Sequence, residues 1–161
     1  MRALASPIRL RILRLTLDQS RTNKEIAELL RMSPASTLHH VRTLAAAGFL
    51  AAEPERKGAR GSREVPYRAT RLSWQIDTSG ADPSGLVKRA SLQAFLEELA
   101  EVPATERFST ARLGLLLSPA RKAELQDRLS ALFDEFEKLP REPDGEAFAI
   151  FMAIYPRTPA S

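Results

Sequence analysis

The chain has 161 residues, 43% of them apolar and 27% charged, an ordinary balance for a globular protein of one domain or two small ones. It contains no cysteine, which excludes disulfides, thiolate nucleophiles and thiolate metal sites. The net charge of +4 is unevenly spread: residues 1–77 hold 14 Lys and Arg against 7 Asp and Glu, and residues 78–161 hold 10 against 13, so a polyanionic partner is expected for the first half.

Met1-Arg2-Ala3 leads into an arginine-studded helix, with neither a signal-peptide apolar region nor a membrane-spanning run, and the expectation is a cytoplasmic protein without membrane association. Ser6-Pro7 opens that helix, which runs to about Asp18 and carries two apolar stripes, Ile8, Ile12 and Leu15 on one side and Leu10, Leu13 and Leu17 on the other. A helix apolar on both sides needs two partners. Thr22-Asn23-Lys24-Glu25 is a capping box, and the short helix it starts ends near Leu30. Arg31-Met32-Ser33 then makes a three-residue turn, which is helix-turn-helix spacing.

The next helix is marked at both ends, by Ser33-Pro34 at its start and Gly48 at its stop. Leu38, Val41, Leu44 and Ala45 share a face with Thr37, while Ser36, His39, Thr43 and Ala46 lie opposite, flanked by His40 and Arg42. No carboxylate occurs between Met32 and Ala52, so a polyanion can approach this outer face. Phe49 to Glu53 and Val65 to Thr70 read as strands joined by a loop that carries Arg56, Lys57, Arg60 and Arg63 and is loosened by Gly58 and Gly61. A basic hairpin after a helix-turn-helix is a wing, whose task is to reach phosphates beside the groove.

The segments R-A-L-A-S-P-I-R-L-R-I-L, N-K-E-I-A-E-L-L-R-M-S, S-T-L-H-H-V-R-T-L-A-A-A-G-F-L and V-P-Y-R-A-T, in that order over residues 1–72, resemble the ArsR-like winged-helix transcriptional regulators. The resemblance implies a homodimeric prokaryotic repressor or regulator that reads a palindromic operator in double-stranded DNA. Ser36, Thr37, His39, His40 and Arg42 match the readout segment of that family's recognition helix. Several metal-sensing members carry a cysteine motif on the preceding helix; here that helix has none, so sensing through that site is excluded.

Thr78 to Pro83 reads as a linker, and Ser84 to about Glu101 as a helix with two apolar faces, one of them Leu92, Phe95, Leu96 and Leu99. Together with Leu10, Leu13 and Leu17 of the first helix, that face is the expected dimer interface, the alternative being a helix buried between two domains of one chain. Beyond Pro103, Arg107 to Leu117 reads as a strand, Ser118 to about Lys138 as an amphipathic helix, and A-F-A-I-F-M-A-I-Y as a second strand apolar on both faces. Two strands and one helix do not close a core, so this unit needs further partners. A small-molecule pocket near Trp74 and Phe95 ranks below simple packing there, and no effector is identified.

The expected architecture is therefore α+β: a winged helix-turn-helix domain (1–77), a linker and dimerisation helix (78–103), and a small β-α-β unit with a disordered tail (104–161). Base readout is assigned to Ser36, Thr37, His39, Arg42 and Thr43, and backbone contact to Ser33, His40, Arg56, Lys57, Arg60 and Arg63. No cofactor or metal is expected: His39 and His40 are adjacent and point about 100° apart on a helix, so they do not chelate one ion. The carboxylate pairs Glu97-Glu98 and Asp134-Glu135 read as solvated faces, so an enzyme is not expected. The competing reading is a winged-helix protein-interaction module without DNA binding.

Overall fold

The computed structural model describes residues 2–58, 61–73, 82, 84–103, 105, 109–140, 142 and 144–157. Its first unit, Met1–Glu106, runs as a 3-10 turn (Arg2–Leu4), α1 (Pro7–Leu15), β1 (Arg21–Thr22), α2 (Asn23–Leu29), α3 (Pro34–Ala46), β2 (Leu50–Ala52), β3 (Arg56–Lys57), β4 (Arg63–Glu64), β5 (Pro66–Ala69) and α4 (Leu86–Glu101). Its second unit, Arg107–Ser161, holds α5 (Pro119–Glu137).

Local chemistry sets the helix ends. At α2 the Thr22 hydroxyl accepts from the Glu25 amide at 3.2 Å while the Glu25 carboxylate accepts from the Thr22 amide at 2.7 Å, which completes the capping box. The turn into α3 places Arg31 in the left-handed region (φ 53), with the Met32 amide on the Ala27 carbonyl at 2.9 Å and the Arg31 amide on Glu28 at 3.2 Å. This is a Schellman ending with an arginine where glycine is usual, at a cost of about 1 kcal/mol. The Ser33 hydroxyl accepts from the Ser36 amide at 3.2 Å, and Pro34 occupies the first turn of α3. At the other end Gly48 (φ 78) lets the Phe49 amide reach the Leu44 carbonyl at 2.9 Å.

The main sheet has the order β1-β5-β2 and is antiparallel throughout, with Thr22 opposite Pro66 and Leu50, Ala51 and Ala52 opposite Ala69, Arg68 and Tyr67. β1 is too short to show in the sequence pattern. β3 and β4 form a second ladder, Arg56 opposite Glu64 and Lys57 opposite Arg63, within the stretch that the sequence reads as a loop. This correction follows from the antiparallel β2 and β5, which deliver the two arms side by side.

Ile12, Ile26, Val41 and Leu44 are wholly enclosed at the centre of the first unit, joined by Leu4, Leu13, Phe49, Leu50, Ala69 and Val87. Each large aliphatic side chain buried this way contributes about 1.5–3 kcal/mol. α1 packs on α3 and β5 with one side and on α4 with the other. The Thr16 carbonyl at its end accepts the Ala69 amide at 3.0 Å, which ties the helix to β5. The second partner of α1 is thus α4 of the same chain, through buried Val87, Ala90 and Ala94. That corrects part of the expected dimer interface: Leu13 lies in the chain's own core, and Leu10 and Leu17 pack against it. Leu92 and Leu96, 48% and 49% exposed, remain on the outer side of α4, with Phe95 and Leu99 partly covered.

Asp82 is not a plain linker residue. It is 7% exposed, and its carboxylate accepts the amides of Leu86, Val87 and Lys88 at 3.1, 2.9 and 3.1 Å and the Ser84 hydroxyl at 3.0 Å. Burial works to raise its pKa, but these hydrogen bonds outweigh it and hold the carboxyl below the usual aspartate range. The carboxylate serves as the anionic cap of α4. Trp74 and the rest of 74–81 lie outside the described residues.

In the second unit, α5 starts at Ser118, whose hydroxyl accepts the Arg121 amide at 3.3 Å, with Pro119 in the first turn. Leu125, Leu129 and Phe133 are half-buried on one side, and Arg121 and Glu124 pair at 2.8 Å on another. The flanking segments 109–117 and 144–157 carry no strand, so the expected β-α-β ladder is corrected to a helix between two irregular segments. Leu116, Phe148, Ile150 and Tyr155 are exposed there. One helix covers only one side of such segments, and a ladder of two short strands is not stable without neighbours.

Candidate nucleic-acid interface

α3 presents Ser33, Ser36, His39 and Arg42 as exposed residues, and its only cation, Arg42, stands clear of any carboxylate on the helix. Its inner side, Val41 and Leu44, is locked in the core, so the outward side has one fixed orientation. Thr43 is half-exposed, its hydroxyl donating to the His39 carbonyl at 2.9 Å. Thr37 is a correction: it is fully buried and its hydroxyl donates to the Ser33 carbonyl at 3.0 Å, so it supports the helix and does not reach a base.

His40 is half-buried beside α1, and its Nδ1 is enclosed with no hydrogen-bond partner among the described residues. Burial, then the positive charge of Arg9 and then His39, push its pKa below the ordinary value of 6.5. The two imidazole rings meet edge to face, with centroids 5.6 Å apart. Arg9 donates through Nε to the Ala3 carbonyl and through Nη2 to the Arg2 carbonyl at 2.9 Å, which holds its guanidinium on the 3-10 turn. The sequence reading misses Arg9, because its neighbour His40 is distant in the chain.

In the hairpin Lys57 is exposed, and Arg63, with its side chain 85% exposed, pairs with Glu55 at 3.5 Å. Arg56 differs: its Nη2 lies 2.5 Å from Glu25 Oε1, so this cation is paired with the first helix of the helix-turn-helix. Burial acts to raise the Glu25 pKa, but the Thr22 amide and hydroxyl and then Arg56 outweigh it and hold the carboxyl below its usual range. Arg60 lies outside the described residues.

Elsewhere in the first unit a cleft of about 160 Å³ is lined by Arg11, Arg14, Leu15, Leu29, Glu98 and Glu101. Arg11 pairs across α1 and α4 with Glu97 at 3.4 Å and Glu101 at 2.5 Å. Burial raises the pKa of Glu98, against the opposing pull of Arg14 and Arg11. Among the described residues no three His, Asp or Glu come together as a metal site, and no helix is long and apolar enough to cross a membrane.

Residues 6–52 match the family model described as bacterial regulatory protein, arsR family. No curated protein matches the chain. Among solved structures, an apo variant of ZitR from Lactococcus lactis is 20% identical, with 82% of this chain and 83% of that chain covered and a TM-score of 0.38. The adhesin competence repressor AdcR from Streptococcus pyogenes is also 20% identical, with 81% and 78% covered and a TM-score of 0.37. The matched segment spans α1, the capping-boxed α2, the turn, α3 and β2, the elements that hold the polar face of α3 outward. The similarity to the bacterial arsR-family regulatory proteins thus covers residues 6–52 and coincides with the helix-turn-helix of this chain.

Proposed function

We propose that the protein is a cytoplasmic, homodimeric transcriptional regulator, acting as a repressor at a palindromic operator. Each α3 enters a major groove, with Ser36, His39, Arg42 and Thr43 at base edges and Ser33 and His40 beside the backbone. Lys57, Arg60 and Arg63 of the hairpin meet phosphates and add affinity without base information. The observation that carries this reading is the outer face of α3: exposed, free of carboxylates, and fixed by a buried inner face between a capped helix and a basic hairpin. The outer stripe of α4, Leu92 and Leu96 with Phe95 and Leu99, forms the subunit contact.

Selection of bound sequences from a random duplex pool tests this. The expected result is an inverted repeat whose half-sites lie about 10 bp apart or a multiple of that. Failure to bind any duplex at micromolar protein and low salt would overturn the regulator reading in favour of a protein-interaction module.

A further inference from the structure

Glu25 does two things with one carboxylate. Oε2 accepts the Thr22 amide at 2.7 Å, and Oε1 holds Arg56 Nη2 at 2.5 Å, across 31 positions of chain. The carboxylate is tethered through Oε2 to the Thr22 amide, and Thr22 is itself paired in the sheet with Pro66. Arg56 is held on only one side that the structure shows. It stands in a short ladder opposite Glu64, and its side chain is 44% exposed, so an external anion can reach it. Glu25 is 40% exposed, at the same opening.

We propose that Glu25 is an internal counter-ion of the wing: it occupies Arg56 in the free protein, and a DNA phosphate gains that guanidinium only by displacing a carboxylate already in place. This deepens, and rests on, the DNA-binding reading above. An Arg that exchanges one anion for another releases little net charge from the DNA atmosphere, whereas a free Arg contributes a full unit. Glu25 therefore lowers the sequence-independent part of the affinity and leaves discrimination to α3.

The test is a cycle of wild type, Glu25→Gln, Arg56→Ala and the double variant, each titrated against random duplex over a range of salt. Gln at this position still accepts the Thr22 amide, so the capping box is kept and only the charge is lost. Urea melts of the four proteins confirm that each is folded at the titration temperature. Expected for Glu25→Gln is an affinity higher by about 3-fold to 10-fold near 0.1 M salt and a log K against log salt slope steeper by about 0.9. In the Arg56→Ala background the same change should move the slope by less than about 0.3. Equal gains in both backgrounds would assign the effect to general repulsion by Glu25, and no gain in either would leave Arg56 unmasked; both overturn the proposal. If none of the four proteins binds DNA, the regulator reading itself fails and this role falls with it, an outcome distinct from binding by all four without coupling.

Discussion

Arg42 and His40 stand two positions apart in the sequence yet differ in what surrounds them. Arg42 projects from the exposed side of α3, and a guanidinium there fits the O6 and N7 acceptors of guanine. Arg42→Ala should weaken specific binding by about 1–3 kcal/mol and relax one operator position. Fluorescence anisotropy checks it: an equal loss on specific and random duplexes would make Arg42 a backbone contact. His40 is partly enclosed by α1 and its folded pKa is depressed below 6.5. Stability from the neutral ring is complete above that value and is lost as pH falls through it toward the folded pKa, because the unfolded chain takes up a proton that the folded chain resists. His40→Gln should remove this part of the acid sensitivity in urea melts between about pH 5 and 7.5. A difference from wild type that stays constant over that range would show that His40 does not carry it. Both residues were legible as members of the outer arc of α3, but the half-turn that puts His40 against Arg9 was not, and neither was the full burial of Thr37. The width of a helix's buried stripe depends on how closely its neighbours approach.

The elements were legible wherever a local bond defines them. Thr22 with Glu25, Ser33 with Ser36 and Ser118 with Arg121 each close a cap within three residues, and all three appear at the positions that the residue types imply. Gly48 is the matching stop signal. At φ 78 an added Cβ meets Leu72 only at an ordinary 3.8 Å, so the cost of substitution is backbone strain and not a clash. Gly48→Ala should destabilise the first unit by about 1–2 kcal/mol, read as a lower urea midpoint with an unchanged m-value. A neutral outcome would mean that the α3–β2 corner relaxes to another geometry. The sheet was less legible. β1 has two residues and β3 and β4 two each, too short for alternation to register, and only pairing with a partner makes them strands.

Assembly depends on which apolar surface a single chain leaves uncovered. α1 is apolar on two sides and both are used within the chain, one on α3 and β5 and the other on α4. The outer side of α4 is different, with Leu86, Leu92 and Leu96 each about half exposed in one helix. A two-fold contact there would bury the same stripe on both copies. For the dimer proposed above, Leu92→Glu combined with Leu96→Glu should halve the mass found by sedimentation while the urea melt of the first unit stays close to wild type, since neither side chain enters the core. A variant that remains dimeric would move the interface elsewhere.

By itself the sequence determined the caps, the helix-turn-helix order, the carboxylate-free outer face of α3 and the basic character of the hairpin. Each of these is written in bonds or periodicities that span a few residues. Only the tertiary structure decided that α4 packs on α1, that Asp82 caps α4, and that Arg56 pairs with Glu25. These pairings join residues far apart in the chain, and they are selected by which surfaces and charges meet once the helices have packed.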